Sequence, residues 1–503
     1  MKNKLKIVAG YIKRLYIIND DVEYLYNKLY SMSTSEKNIK SILENFYNEY
    51  NTKIEVDIDT FIKTVNRIYE DISDNLNEEL LNKKQVARSF GNEYRIKDKH
   101  NFEKMTYPLF LFINNLYFKL LKNNCERVFF FAREGQFLKK LFDKYQEAIE
   151  GPKIKTEYLY VSRASTFLGT LKSLDEENFD ALFVQYPHMS IDTFCKNLGF
   201  SEEEIIKIID IVKVNIFEII YDLKDKEVFK KLTANEYFIK LYEEKRQKSK
   251  ENFLKYLDGF KILNEKELHI VDVGWKGSIQ NNLQKCIPHI KVHGYYVGLV
   301  HYGEVFDYEK KEAVLFEYTA HKISNNGYLY NSNRPFFEIF LDADHGSTVN
   351  YVTKNGKTEP VLNELEKEQI MYNNHIKPIQ SAIYNKFEKL LNILKYGYYD
   401  IETIEKMFNL KFFELNFVSS KSELEEFNAL YHYENFGVMN YSTFKRNTKL
   451  NIKQKIKAYL RFHRFIQNDE TWQCLKLYNS NMYLGRLMLI IYKKMRLKKN
   501  NVI

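Results

Sequence analysis

Apolar positions in the first hundred residues recur at helical spacing, as in VEYLYNKLYSM and FIKTVNRIYEDI. An apolar residue at every third or fourth position is typical of a helix with one buried face. Residues 1–104 are therefore predicted to form a helical N-terminal region.

The fragment VDIDTF, Val56–Phe61, matches the D-x-D-x-T opening of HAD-type phosphatases. Two aspartates at that spacing can act as nucleophile and acid/base around a magnesium ion. The preceding NEYNTKIE is too polar for the buried strand that such a motif must follow. We interpret the fragment as a turn leading into the FIKTVNRIYEDI helix, and keep a HAD-related phosphatase as an alternative.

From residue 105 the pattern changes to short apolar runs that alternate with helical periods. A buried helix, YPLFLFINNLYFKLLKN, precedes three strand–loop–helix units that begin RVFFFAREG, TEYLYVSRAS and ELHIVDVGWKGS, and KVHGYYVGLV reads as a fourth strand. Such alternation is typical of an α/β fold with a parallel, doubly wound sheet covered on both faces. We predict this core over 105–352, interrupted by a helical insertion near 170–262.

Two further regions follow the predicted core. Asn355-Gly356 suits a tight hairpin turn, and within the insertion Ser201 and Glu204 form a capping-box pattern. Residues 353–440 are predicted to be helical, and 441–503 to form a basic C-terminal tail.

Composition and charge narrow the class of protein. A hydrophobic content of 45% excludes a disordered chain. The four cysteines form no C-x-x-C pair, so a reducing cytoplasm is the simpler interpretation. No run reaches the roughly 18 apolar residues that a spanning helix needs, so we expect a protein that is soluble or peripheral at the inner face of the plasma membrane.

The net charge of +9 is concentrated in the tail. From Lys445 onward there are 15 basic and 2 acidic residues, which leaves 61 basic and 65 acidic residues in the rest of the chain. This asymmetry indicates an anionic surface as a partner. Nucleic acid is not expected, because the basic residues lie in one tail. LGRLMLIIYKKMRLKKN, Leu484 to Asn500, suits either a helix at an anionic membrane or a packed C-terminal helix with solvated lysines.

Polar groups suited to ligand binding follow three of the predicted strands. They comprise the residues Arg133, Glu134, Gly135, Ser162, Arg163, Asp272, Gly274, Trp275, Lys276, Gly277, Ser278 and Gln280. Ligands of open α/β sheets bind beyond the carboxyl ends of the strands. The chemistry suits a sugar with phosphate at two places: forked arginines for phosphate oxygens, a glycine loop before a helix for a further phosphate, and an acid for hydroxyls.

Each group alone also has a structural interpretation. Arg-Glu-Gly at a strand end is commonly a salt-bridged turn, and Ser162 with Arg163 suits a helix cap with a surface ion pair. Gly274 and Gly277 suit a tight turn, and Trp275 a core position. The combination at three strand ends is what favours a binding site.

These segments, with PFFEIFLDADHGSTVNYV, resemble a bacterial family encoded in capsule and O-antigen clusters. Its members carry a phosphoribosyltransferase-like domain, often fused to an N-terminal HAD phosphatase domain and labelled predicted HAD hydrolases. The resemblance covers roughly residues 105 to 352. It implies transfer of 5-phosphoribose from phosphoribosyl pyrophosphate, or another sugar diphosphate donor, to a lipid-linked glycan, with a separate phosphatase completing the ribofuranose.

The resemblance also implies roles for single residues. Arg133 and Arg163 would hold pyrophosphate, and Asp272 would orient the ribose, with Mg²⁺ bridging donor oxygens. Glu134 is the candidate general base and Glu338 the alternative, although Glu338 also suits an ion pair with Arg334 at i−4. The sequence departs from the pattern in two places: Val273 stands where ordinary phosphoribosyltransferases have a second acid, and Glu134 where the family often has Asp.

Two other functions are compatible with the sequence. A glycosyltransferase that uses a nucleotide sugar would hold the donor's diphosphate with the same arginines and glycine loop. A non-catalytic scaffold of a polysaccharide assembly complex would need none of them.

Overall fold

The central element of the fold is a five-stranded parallel sheet. The computed structural model describes residues 2–35, 38–76, 82–184, 186–213, 215–301, 310–395, 401–434, 436–437, 440–444, 449–467 and 472–503. Its strands are β1 (Arg127–Phe131), β2 (Lys155–Leu159), β3 (Glu267–Asp272), β4 (Lys291–His301) and β5 (Lys311–Thr319), in the order β2-β1-β3-β4-β5. Every neighbouring pair is parallel. The predicted parallel sheet and its four predicted strands are confirmed, and β5 is an additional strand.

Both faces of this sheet are buried. Alternate side chains of a strand point to opposite faces: Val128 and Phe130 belong to one hydrophobic cluster, and Phe129 and Phe131 to another. The first face is covered by α6 (Thr106–Lys122) and α7 (Gly135–Ala148), and the second by α13 (Glu236–Gly259) and α14 (Ser278–Cys286). The predicted doubly wound arrangement is therefore confirmed.

The N-terminal region is helical, as predicted. Its helices are α1 (Lys2–Tyr16), α2 (Val22–Ser35), α3 (Ile39–Tyr50), α4 (Ile58–Asp71) and α5 (Lys83–Arg95). Asp57 is the N-cap of α4, and its carboxylate accepts hydrogen bonds from the Thr60 backbone N–H at 2.9 Å and the Thr60 hydroxyl at 2.7 Å. The VDIDTF fragment is thus the predicted turn into a helix, with Asp57 as a cap.

The insertion has a hydrophobic core of its own. It includes α8 (Arg163–Thr170), α9 (Asp180–Phe183), α10 (Ile191–Asn197), α11 (Glu202–Val212) and α12 (Glu227–Thr233), and ends with α13. Apolar side chains of these helices form a separate buried cluster around Phe194 and Phe238. The predicted capping box at α11 is confirmed by reciprocal bonds between Ser201 and Glu204.

After β5 the chain is mostly helical. Its helices are α15 (Gly327–Tyr330), α16 (Pro335–Phe340), α17 (Glu366–Met371), α18 (Lys377–Leu394), α19 (Ile401–Phe417), α20 (Lys421–Asn428), α21 (Ile452–Leu460), α22 (Phe462–Gln467), α23 (Gln473–Asn479) and α24 (Tyr483–Lys499). Two antiparallel hairpins interrupt them: β6 (Ser347–Lys354) with β7 (Lys357–Asn363), and β8 (Tyr431–Glu434) with β9 (Asn440–Thr443). The first hairpin turns at Asn355-Gly356 as predicted, and it spans the boundary that the sequence placed at residue 352.

The four cysteines are free thiols. Among the residues that the structure describes, no helix combines the length and apolar character needed to cross a bilayer.

Candidate functional site

Two of the three loops that carry predicted site residues follow the strands between which the strand order reverses. The chain runs from β1 outward to β2 and then returns past β1 to β3, so that β1 and β3 are neighbours. In doubly wound folds with the order 2-1-3-4-5, the loops after these two strands separate and leave a ligand-binding crevice at their carboxyl ends. The loop after β1 carries Arg133 and Glu134, and β3 ends at Asp272.

Asp272 is a buried carboxyl group, 8% exposed. Burial and, to a smaller extent, the nearby negative charge of Glu134 raise its pKa to about 7, against the opposing effects of hydrogen bonds from the Val273 and Gly274 backbone and of the positive charge of Arg163. The Val273 N–H donates to Asp272 Oδ1 at 2.8 Å. Residues from three different strand ends therefore lie within one electrostatic cluster, and a carboxyl group with a pKa near neutrality suits acid/base chemistry.

Arg133 points into a buried ion-pair network. Its Nε lies 3.2 Å from Asp342 Oδ1, and its Nη1 donates to Glu368 Oε1 at 2.7 Å. Burial, with the charges of Glu134 and Glu368, raises the pKa of Asp342 to about 6 against the opposing charge of the Arg133 guanidinium. The Arg133 guanidinium, which was predicted to hold pyrophosphate, is thus already paired with two carboxylates in this structure.

A tyrosine–histidine pair lies beside Arg133. The His345 ring contacts the Gly346 carbonyl through Nδ1 at 2.8 Å and the Tyr158 hydroxyl through Nε2 at 2.8 Å. Burial lowers the pKa of His345, so the ring is neutral near pH 7. A neutral ring that donates from Nδ1 to a carbonyl accepts at Nε2, so the Tyr158 hydroxyl is the donor in this pair.

Ser162 and Arg163 open α8 after β2. The Ser162 hydroxyl accepts from the Ser165 N–H at 3.0 Å in a capping box, and it also donates to the Thr348 carbonyl. These bonds confirm the helix-cap interpretation, and the substrate contact of Ser162 stays a prediction. Arg163 contacts the Tyr186 hydroxyl at 3.3 Å and lies close enough to Asp272 to influence its pKa.

The glycines of the DVGWKGS loop are required by close packing. Gly274 has φ +130°, and a Cβ there would lie 2.2 Å from the Gly298 carbonyl oxygen. Gly277 has φ +66° and is the N-cap of α14, and a Cβ there would lie 2.7 Å from the Tyr296 hydroxyl. α14 has no side-chain cap, so its first backbone N–H groups face the carboxyl edge of the sheet, where an anion could accept from them.

Trp275 joins this loop to α16. Its indole N–H donates to Glu338 Oε1 at 2.6 Å, and its ring packs against Phe316 and Phe337 while remaining half-buried. The Arg334 guanidinium lies over the Trp275 ring, 5.6 Å from a ring centroid. Trp275 therefore holds Glu338 beside the loop. Its packing agrees with a core position, and its place in the loop also agrees with a contact to substrate.

The remaining predicted residues separate into two groups. Lys276 and Ser278 are exposed at the start of α14, and Gly135 packs against the Phe130 backbone. Gln280 is buried, donating to the Val292 and Lys310 carbonyls at 2.9 Å and accepting from the Tyr296 hydroxyl. The predicted substrate contact of Gln280 is thus not supported, because its amide holds β4 in place.

Sequence reasoning did not select Asp342, His345 or Glu368. The first two belong to the LDADHGS segment between α16 and β6, whose acidic and histidine residues were a visible signal. Glu368 lies on α17, in a region predicted only as helical, and no local pattern marks it.

The cavity at Arg133 is nearly closed. It has a volume of about 10 Å³ and is lined by Arg133, Asp342, His345, Glu368 and Tyr372, among others. That volume suits a single water molecule. A cavity of about 620 Å³ lies instead between α1, α2 and α6, and none of its lining residues belongs to the strand-end loops. A sugar diphosphate bound in the cavity at Arg133 would therefore have to displace the side chains that line it.

Within the described part of the chain, no three His, Cys, Asp or Glu side chains are arranged to hold a metal ion. No protein-family model matches this sequence, and no curated protein is significantly similar to it.

Proposed function

We propose that the chain is a glycosyltransferase of phosphoribosyltransferase type. It would transfer a phosphoribosyl group from phosphoribosyl pyrophosphate to a lipid-linked glycan during surface polysaccharide biosynthesis. The observation that carries this proposal is that Glu134 and Asp272 follow β1 and β3, between which the strand order reverses, while Arg163 follows the adjacent β2 and acts on the pKa of Asp272. The five-stranded parallel sheet supports a phosphoribosyltransferase-like core as part of the same proposal.

The carboxyl pair would provide the acid/base chemistry. The acceptor hydroxyl attacks the anomeric carbon of the donor as the bond to pyrophosphate breaks, and the hydroxyl proton must leave. Burial and the charge of Glu134 raise the pKa of Asp272 to about 7, so a carboxylate of this pair can accept that proton near neutrality. The other can remain hydrogen-bonded to a ribose hydroxyl. Glu338, fixed by Trp275 on the far side of the loop, stays the alternative base.

The anionic donor would contact two elements. Arg163, which already contacts the Tyr186 hydroxyl and acts on the pKa of Asp272, would supply a guanidinium, and the first turn of α14, which has no side-chain cap, would supply backbone N–H groups at the same edge. Arg133 would join them only after its ion pair with Glu368 opens. Closure of this network over the donor would exclude water from the reacting carbon.

The acidic character of the cluster fits a divalent cation that arrives with the donor. Glu134, Asp272, Asp342 and Glu368 outnumber the two arginines, and one or two carboxylates with substrate phosphates suffice for magnesium. Glu134 and Asp272 are the residues that would face it. Bound there, magnesium would offset the charge of the departing pyrophosphate.

The decisive experiment measures pyrophosphate release from phosphoribosyl pyrophosphate in the presence of a lipid-linked acceptor extracted from cells. Asp272→Asn and Glu134→Gln should each lower kcat/KM by at least about 100-fold, the usual contribution of general acid–base groups. Exposed Asp258→Asn and Glu227→Gln are the matched controls and should retain full activity. Turnover by either site variant at the wild-type rate would remove that residue from the chemistry.

Donor class separates this proposal from a nucleotide-sugar glycosyltransferase and from a scaffold. A ligand present at 100 times its Kd stabilises the folded state by about 2.7 kcal/mol, so the true donor should raise the melting temperature. Stabilisation by phosphoribosyl pyrophosphate and not by nucleotide sugars supports the proposal, and the reverse pattern supports the alternative. A scaffold would be stabilised by neither.

A further inference from the structure

The C-terminal helix has apolar side chains on two opposite faces. Gly485, Leu489, Lys493 and Leu497 of α24 are buried against the body. A second set remains 37–68% exposed: Leu484, Leu487, Met488, Ile491 and Met495. Their spacing of three or four residues places them in one stripe along the outer face of the helix. Burial of the inner face holds α24 in place and leaves this outer stripe facing solvent.

α21 carries a similar stripe. Ile452, Ile456 and Leu460 recur every fourth residue and are 56–81% exposed. α21 continues into α22, and the ring of His463 on α22 lies 4.5 Å from that of Tyr492 on α24. α22 therefore links the two stripes, which we call the C-terminal apolar surface. Together with Tyr483 they account for nine of the 23 large apolar side chains that are exposed among the described residues.

Basic side chains surround the C-terminal apolar surface. Seven of them are exposed in the structure: Lys453, Lys457, Arg461, Arg464, Lys494, Lys498 and Lys499. Between residues 449 and 503 the sequence contains only two acids, Asp469 and Glu470. The surface thus combines exposed apolar stripes with positive charge.

We propose that the C-terminal apolar surface binds an anionic lipid bilayer. The apolar stripes would enter the boundary between headgroups and acyl chains, and the lysines and arginines would contact the anionic headgroups. Since the inner face of α24 is already packed, the helix needs no folding step on binding. It would lie in the plane of the membrane surface.

The positive charge disfavours both a second copy of the chain and a different protein as the partner of this surface. A symmetric contact with a second copy of the chain would place like charges opposite each other, because both partners present the same residues. The cores of protein interfaces are depleted in lysine, whereas here lysines alternate with the apolar side chains. A bilayer supplies both an apolar layer and a continuous field of negative charge. The inference rests on the surface alone and stands whether or not the transferase proposal holds.

The test is flotation of the full chain with vesicles of phosphatidylcholine alone and of phosphatidylcholine mixed with phosphatidylglycerol. We expect binding only to the mixed vesicles, and its loss as salt rises from roughly 0.1 M to roughly 1 M and the Debye length falls from about 10 Å to about 3 Å. The triple variant Leu484→Ser, Leu487→Ser, Ile491→Ser should lower the partition coefficient at least tenfold, which corresponds to about 1.4 kcal/mol. Point variants are preferable to deletion of α24, because deletion would also remove the buried Leu489 and Leu497.

Matched variants away from the surface provide the control. Ile17→Ser and Ile206→Ser remove apolar side chains of comparable exposure (80% and 60%) on the body and should leave partitioning unchanged. Circular dichroism verifies that each variant is folded. Absence of binding to the mixed vesicles, or equal binding by the triple variant and wild type, would overturn the proposal. So would dimerisation of the wild-type chain that the triple variant abolishes, since a second copy would then cover the surface.

Discussion

Replacement of Asp272 by asparagine should stabilise the folded protein while it removes activity. The carboxyl group is buried, and burial with the charge of Glu134 raises its pKa from the ordinary 3.8 to about 7. Ionisation of this group is therefore unfavourable in the folded chain at neutral pH. Asparagine has nearly the same shape, carries no charge, and can still accept the Val273 N–H through its carbonyl oxygen.

The size of the effect follows from proton linkage. A carboxyl group whose folded-state pKa is raised binds its proton more tightly in the folded chain, so the stability that it contributes is lost as pH rises from near 3.8 through about 7. One pKa unit corresponds to about 1.36 kcal/mol. Between about pH 5 and about pH 8, ionisation of Asp272 should therefore lower the free energy of unfolding by roughly 2–3 kcal/mol.

The measurement is urea unfolding of wild type and Asp272→Asn at several pH values in this interval. The difference in free energy of unfolding, variant minus wild type, should be more positive at about pH 8 than at about pH 5 by roughly 2–3 kcal/mol. Comparing the same pair at two pH values cancels any pH-independent effect of the amide. Exposed Asp258→Asn should give a difference that changes by less than about 0.5 kcal/mol.

A difference that does not depend on pH would refute the reasoning, because Asp272 would then ionise alike in the folded and unfolded chain. A difference that falls with pH would mean that the ionised carboxylate is stabilised in the fold. Arg163 and the backbone N–H groups would then outweigh burial, and the carboxylate could not serve as a base near neutrality.

Three further changes have defined outcomes. Arg133→Met leaves the buried Asp342 and the partly buried Glu368 without their partner, so it should lower the free energy of unfolding by about 3–5 kcal/mol. Retention of wild-type stability in urea would contradict the ion-pair network. Gly277→Ala should destabilise by at least about 1 kcal/mol because of its left-handed backbone, whereas Gly10→Ala, in α1 with no atom within 4 Å of the new Cβ, should stabilise by roughly 0.5–1 kcal/mol. In Trp472→Phe, Trp275 is the one remaining tryptophan, and phosphoribosyl pyrophosphate should change its emission, whereas an unchanged spectrum at saturation would place the donor away from the loop.

The sheet could be predicted because its signals are local. A short apolar run followed by polar loop residues and a helical period occurs at β1, β2 and β3, and parallel strands necessarily bring their carboxyl ends to one edge. β5 lacks that signal, since charged Lys311 and Glu317 lie within the strand and are both buried. Lys311 is accommodated by Asn281, whose side-chain oxygen accepts from its ammonium at 2.6 Å, and no sequence window contains such a contact.

The ion pairs of the site residues could not be predicted, because their partners are distant in the sequence. Whether Arg133 is open to a ligand depends on Asp342 and Glu368, which follow it by more than 200 residues and reach it only through the packing of α16, α17 and the β6–β7 hairpin. Sequence spacing specifies the loop that carries a guanidinium. Sequence spacing does not specify how many carboxylates pair with that guanidinium.

The charge of the cluster decides how an anionic donor could bind. Among the described residues, Glu134, Asp272, Asp342, Asp344 and Glu368 lie around Arg133 and Arg163, and this excess of carboxylates, when ionised, repels a diphosphate. Protons on Asp272 and Asp342, whose pKa values are raised to about 7 and about 6, would remove two of these negative charges. The burial that makes ionised Asp272 destabilising therefore also removes part of the repulsion. If the proposed donor binds here, its affinity must increase as pH falls toward 6 or as a divalent cation is supplied, because both reduce the same excess of negative charge.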